Sequence, residues 1–121
     1  MNPRRLGQIW ERESRKILKE KFNTEQIFKL INPEQIDWIL FYSQEGKEKV
    51  AIVESKSTRK PKYYPFENQK KRNQLEKYFK TKENLINMGF DCSFYLLIQK
   101  GKEKKVFFEK IKSISDIQKS Y

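Results

Sequence analysis

Two runs of β-branched and aromatic residues stand on either side of a short turn: Asp37 to Ser43 (DWILFYS) and Lys49 to Ser57 (KVAIVESKS). Gln44-Glu45-Gly46-Lys47 between them supplies the turn, so the pair predicts a β-hairpin. A hairpin constrains the whole chain, because a slip of one residue would turn every apolar side chain to the wrong face. Centring the loop between Glu45 and Gly46 places Asp37 directly across from Glu54. Side chains two apart on a strand share a face, so Lys56 projects with Glu54 while Ser55 points away.

The remaining elements read outward from that hairpin. Asn2-Pro3 has the form of an N-cap followed by proline at the first helical position. Leu6, Ile9, Trp10, Ile17 and Leu18 follow near helical spacing, predicting a first helix from about Pro3 to Lys21. Gln26 to Asn32 reads as a first strand closed by Pro33. Ser57 to Pro65 (STRKPKYYP) is a basic loop bounded by proline. A second helix is expected to start near Phe66 or Glu67, with Leu75, Tyr78, Phe79, Leu85 and Ile86 as its apolar stripe and Gly89 just past its end. Ser93 to Gln99 (SFYLLIQ) and Lys105 to Glu109 (KVFFE) predict two more strands. The first of these is apolar on both faces, as a central strand or a dimer contact would be. The tail from Ile111 either forms a short helix bearing Ile111, Ile114 and Ile117 or frays. The expected fold is α/β: a single domain over residues 1–121 with a mixed β-sheet flanked by helices, in the order α-β-β-β-α-β-β.

Charge narrows the function. Lysine and arginine number 27 against 16 aspartates and glutamates, a formal excess of +11. A thermophile surface would raise Lys and Glu together, which accounts for a charged fraction of 36% but not for the imbalance. An excess this dense attracts polyanions, and nucleic acid is the commonest. With no histidine and one cysteine, Cys92, neither a zinc cluster nor an intrachain disulfide is expected. The N-terminus lacks the apolar core of a signal peptide and no apolar run is long enough to span a bilayer, so a cytoplasmic protein with no membrane association is expected.

Two carboxylates facing each other across a hairpin should destabilise it unless a cation lies between them. Asp37 and Glu54 suit Mg²⁺, a hard ion that takes oxygen ligands and binds through one or two carboxylates plus phosphate; Mn²⁺ can substitute. Such an ion polarises a phosphodiester and activates water, and Lys56 on the same face can orient that water or stabilise charge on phosphate. In a chain this charged, an E-x-K triplet alone carries no weight. The weight comes from the apolar AIV run that the triplet ends, and from the acid at matching register on the partner strand.

An acid ahead of a hairpin followed by E-x-K resembles the PD-(D/E)XK nuclease superfamily, and within it the archaeal-type Holliday junction resolvases. The resemblance runs from the N-terminus to roughly Phe108. Gly7-Gln8-Ile9-Trp10-Glu11-Arg12 is similar to that family's G-x-x-x-E-R on the first helix, which implies that Glu11 helps hold the metal site. By the same likeness Asp37 and Glu54 are the metal-binding carboxylates and Lys56 the catalytic lysine, while Tyr64 and Gln69 match a tyrosine and a glutamine at the start of the next helix. Ile36 stands where the family usually has proline, and the family's Ser-Gly segment before the aspartate has no counterpart in FKLINPEQID. The compact size resembles the versions carried by archaeal viruses.

The resemblance implies a metal-dependent endonuclease that cuts four-way DNA junctions in recombination, needs no small-molecule cofactor and acts as a homodimer, since paired cuts need two sites. A dimer is also expected because helices 1 and 2 can cover one face of the sheet fully, leaving the other to the Ile-bearing tail or, more economically, to a second subunit. Arg4 and Arg5, the loop residues Arg59, Lys60 and Lys62, and the helix residues Lys70, Lys71 and Arg72 are the expected phosphate contacts. The alternatives are a nuclease of the same superfamily with another DNA substrate, or a basic nucleic-acid-binding module without catalysis. DNA binding should weaken steeply with salt, and neutralising Arg59, Lys60 and Lys62 together should flatten that dependence in a fluorescence-anisotropy titration. An unchanged slope would place the DNA surface elsewhere.

Overall fold

A computed structural model of the chain describes residues 3–30, 37–101, 105–113, 116, 120 and 121, with side chains in the first helix from residue 8 onward. The elements are α1 (Pro3–Phe22), β1 (Ile27–Lys29), β2 (Trp38–Gln44), β3 (Lys47–Thr58), α2 (Gln69–Asn87), β4 (Cys92–Lys100) and β5 (Lys105–Ile111). The strands form one sheet in the order β1-β2-β3-β4-β5, antiparallel except for the parallel β3–β4 pair. A parallel pair needs a crossover, and α2 provides it. Among the described residues no helix is long and apolar enough to cross a membrane.

The β2–β3 hairpin closes through Glu45 and Gly46 at φ of 54° and 78°. Two consecutive left-handed residues make a type I′ turn, whose twist matches that of the flanking strands. Its register pairs Gln44 with Lys47 and Trp38 with Val53, as centring the loop on these residues requires. β2 begins one residue later than expected, at Trp38, so Asp37 lies just outside the strand.

Helix α2 also starts later than the sequence suggested, at Gln69 and not at Phe66 or Glu67. Asn68 is the cause: its side chain accepts from Lys71 N at 2.9 Å, capping the first turn. At the far end Gly89, with φ of 98°, donates to Ile86 O at 2.9 Å, and Phe90 N donates to Leu85 O at 3.0 Å. These are the two bonds of a Schellman termination, which glycine makes without strain.

The helices lie on opposite faces of the sheet. Leu75 and Tyr78 of α2 pack with Val50, Ile52, Phe94, Leu96, Ile98 and Ile111. Leu18 of α1 packs with Ile27, Trp38, Leu40, Ala51, Val53 and Leu97. The expectation that one face holds both helices is therefore wrong, and the argument that a second subunit must cover the other face falls with it. β4 lies between β3 and β5 and is buried from Leu96 to Lys100, so its two apolar faces mark a central strand.

The tail differs too. Ile111 belongs to β5 and is buried, and Asp116 Oδ2 then accepts from Lys112 N at 3.0 Å and Ser113 N at 3.1 Å. Ile114 and Ile117 lie outside the described residues, as do Asn32, Pro33 and Ile36 of the segment before β2. Tyr121 returns to pair with Tyr63, each backbone N–H donating to the other's carbonyl at 2.7 and 2.8 Å.

A buried polar network joins α1 to the sheet. Gln99 Nε2 on β4 donates to Trp10 O at 2.9 Å and to Ser14 Oγ at 2.7 Å, and Ser14 Oγ lies 2.8 Å from Ser55 Oγ on β3. Replacing Gln99→Leu leaves the buried Ser14 hydroxyl and the part-buried Trp10 carbonyl without this donor. The expected cost is about 1–3 kcal/mol, read as a lower urea midpoint at unchanged m value. A midpoint within error of the wild type would show that the network does not hold α1.

Candidate active site

Alternation along β3 puts Val50, Ile52, Glu54 and Lys56 toward α2, and Ala51, Val53 and Ser55 toward α1. Glu54 is thus a carboxylate in an apolar layer, only 4% exposed. Its Oε1 lies 3.1 Å from Lys56 Nζ. The Tyr78 hydroxyl comes close enough from α2 to favour the charged form, yet Oε2 has no hydrogen bond of normal geometry among the described residues. Burial pushes the Glu54 pKa up to about 7, the Asp37 charge adds to the rise, and Lys56 and Tyr78 oppose it. Burial and the Glu54 charge in turn push the Tyr78 hydroxyl well above its ordinary value.

Asp37 stands one residue before Trp38, whose partner is Val53, so it lies at the strand end next to Glu54 and Ser55. Because it lies past the strand end, its carboxylate turns into the hydrogen-bonding direction of the sheet: Oδ2 accepts from Ser55 N at 2.8 Å. Its other oxygen, Oδ1, is 3.6 Å from Lys29 Nζ on β1. Two carboxylates therefore meet two ammonium groups, Lys29 on one and Lys56 on the other. Asp37 also lines a cavity of about 170 Å³ with Glu11, Ser14 and Ser55, which opens on the α1 side.

The structure gathers Asp37, Glu54 and Lys56 at the end of the hairpin. Glu11 shares the small cavity with Asp37 but comes from α1, whereas Glu54 faces α2; among the described residues no three acidic side chains lie close enough together to hold a metal ion. Gln69 is exposed, and its amide donates to Asn73 Oδ1 at 2.9 Å with no described tie to the carboxylates. Arg59, Lys60 and Lys62 are exposed on a loop anchored at Pro61, whose carbonyl accepts from buried Lys100 Nζ. Lys70 is exposed, Lys71 lies 3.8 Å from Glu67, and Arg72 Nε donates to Phe66 O at 3.4 Å. The side chains of Arg4 and Arg5 lie outside the described residues.

Three contributors escaped the sequence reading: Lys29, the Ser55 amide and Tyr78. Tyr78 had a signal, since a tyrosine in a buried apolar stripe needs a partner for its hydroxyl. Tyr63 is half-buried and its hydroxyl is pushed up by that burial, with Lys56 opposing and Glu67 and Glu54 adding. Tyr64, the residue singled out by family likeness, is exposed.

The chain matches no protein-family model, and no curated protein matches it significantly.

The raised Glu54 pKa has a consequence for stability. The folded chain holds the proton up to about pH 7, whereas an unfolded glutamate releases it near 4.5. Folding stability from this group is complete below about pH 4.5, falls as pH rises to about 7, and stays low above that. Glu54→Gln should therefore be more stable than the wild type at pH 8 in metal-free buffer, on the order of 2–3 kcal/mol less whatever is lost with Lys56, and the gain should shrink by pH 5. Thermal melts across that range check it, and a difference independent of pH would show that Glu54 ionises normally.

Proposed function

We propose that the chain is a metal-dependent endonuclease with a restriction-endonuclease-like fold, cutting branched DNA by phosphodiester hydrolysis. The observation that carries this reading is a buried Glu54 with the Asp37 charge close enough to raise its pKa, Oε2 of Glu54 without a hydrogen bond of normal geometry among the described residues, and Lys56 beside it. An unpaired carboxylate oxygen in a dry layer is costly, and a cation relieves the cost. Lys29 and Lys56 now stand where such a charge is wanted.

The donor set fits Mg²⁺, with Mn²⁺ able to substitute: two carboxylates suffice for an ion whose other positions go to water and phosphate oxygen. Asp37 and Glu54 would hold it, and Glu11 would act from the adjoining cavity. When bound, the ion supplies Lewis-acid polarisation of the phosphodiester and a more acidic water. The chain's own part is to keep that ion in a partly water-excluded setting and to aim the Lys56 ammonium at the reacting phosphate. Lys56 reaches Glu54 in the free protein, so cation binding at Glu54 frees it for this task. No small-molecule cofactor enters the reaction.

Four-way junctions are the substrate that the resemblance to archaeal-type resolvases favours, and the net charge of +11 supplies the affinity. The homodimer now rests on the need for two symmetric cuts, not on an uncovered sheet face. The setting is the cytoplasm, a host's if the chain is virus-borne. A second reading, a non-catalytic DNA-binding module, draws on the lack of a three-carboxylate cluster among the described residues.

One gel separates these readings: purified protein with Mg²⁺ and a labelled four-way junction or linear duplex. Asp37→Asn, Glu54→Gln and Lys56→Ala should each reduce junction cleavage by about 100-fold or more while binding persists, because affinity comes mainly from lysine and arginine on phosphates. Wild-type rates in all three variants would refute the site, and binding without cutting in the wild type would leave only the module. A monomeric mass at micromolar concentration, with single nicks in a junction held as a closed circle, would refute the dimer.

A further inference from the structure

A cavity of about 420 Å³ lies between the flank of α1 and the β1–β2 edge, lined by Gln8, Glu11, Arg12, Arg15, Lys29 and Trp38. The helix residues meet there because three- and four-residue spacings bring side chains onto one flank. Ser14, Ile17 and Leu18 beside them turn toward the sheet. Lys29 and Trp38 are direct partners in the β1–β2 register, which brings the Lys29 ammonium 5.0 Å from the indole centroid. Three cations and one carboxylate thus surround one hollow.

Two further observations bear on what it holds. Arg12 and Arg15 are exposed and make no ion pair or side-chain hydrogen bond among the described residues, whereas Lys19, Lys49 and Lys71 each pair with an acid. Trp38 is 1% exposed, and its indole N–H has no acceptor among the described residues. A buried donor without an acceptor is costly, and arginine forks match the tetrahedral oxygens of phosphate. The hollow also adjoins the carboxylates: Glu11, Lys29 and Trp38 line both it and the smaller cavity that Asp37 enters.

We propose that this hollow is a phosphate-binding site that takes a backbone phosphate of the DNA strand cut at Asp37 and Glu54. The choice of DNA rests on the nuclease reading; the anion chemistry does not. Arg12 and Arg15 grip the phosphate from the helix. Lys29, 3.6 Å from Asp37 Oδ1, stands between this phosphate and the carboxylate site, so a strand seated here is placed in line with the metal-binding pair.

The test measures binding of a labelled duplex and a labelled four-way junction without divalent metal between about 50 and 200 mM salt. It compares the wild type with Arg12→Gln/Arg15→Gln and Arg12→Lys/Arg15→Lys. The glutamine pair should flatten the log–log salt slope by about two and weaken both substrates alike, and the lysine pair should keep the slope. Both positions are exposed, so melting temperatures serve as the folding control. Tryptophan fluorescence titrated with unlabelled duplex should show a saturable change that the glutamine pair loses. An unchanged slope in the glutamine pair overturns the proposal. Saturation of the fluorescence change by inorganic phosphate, with no competition from duplex, overturns the DNA assignment and leaves a free-anion site. Cleavage with Mg²⁺ is scored separately: a wild type that binds with full slope, loses it in the glutamine pair and cuts nothing upholds the phosphate site while refuting the nuclease reading.

Discussion

Burial of the Glu54 carboxyl between β3 and α2 organises the functional end of this protein. A parallel β3–β4 pair requires a crossover, and the crossover helix comes to rest over the face that carries Glu54. The apolar layer between β3 and α2 then excludes water from the carboxyl, raising its pKa to about 7 against the opposing effects of Lys56 and the Tyr78 hydroxyl. In water an E-x-K triplet is an ordinary pair of charges. Here the lysine answers a desolvated acid, and Asp37 adds a second negative charge from just before the neighbouring strand. The site is therefore electrostatically unfinished near neutral pH, which is the condition under which a cation or an anionic substrate has most to gain.

The other face has a different character. There α1 is held by hydrogen bonds from Gln99 through Ser14 to Ser55, the residue between Glu54 and Lys56. Asp37 links the two faces, because its position past the end of β2 lets its carboxylate take the Ser55 amide while it lines the cavity under α1. Glu11 and the arginines after it approach the carboxylates from this side. A site built from both faces of one sheet depends on the helices being on opposite faces; two helices on one face would have left either Glu11 or Tyr78 without a place near it.

Different levels of organisation were legible to different degrees. The hairpin register followed from Glu45-Gly46, because a two-residue turn leaves the strands one way to pair and an apolar strand penalises any slip. Gly89 marked the end of α2 because only glycine takes its φ at so little cost. The start of α2 was misplaced, since Phe66 and Glu67 look helical in isolation and only the Asn68 cap excludes them. Tyr64 carries the family likeness and is exposed, whereas Tyr63 beside it is half-buried.

The sequence by itself determined the strands, the hairpin and its register, which brings Asp37 to the end of β2 next to the Trp38–Val53 pair, because those depend on local periodicity and turn chemistry acting over a few residues. It also determined the positive charge, which needs no fold. Only the tertiary structure decided which face each helix covers, and with it the burial of Glu54, the placement of Glu11 on the α1 side and Glu54 on the α2 side, and the meeting of Arg12, Arg15 and Lys29 around Trp38. Those depend on contacts between residues far apart in the chain, where an amphipathic helix records that it has an apolar face but not which surface that face will meet.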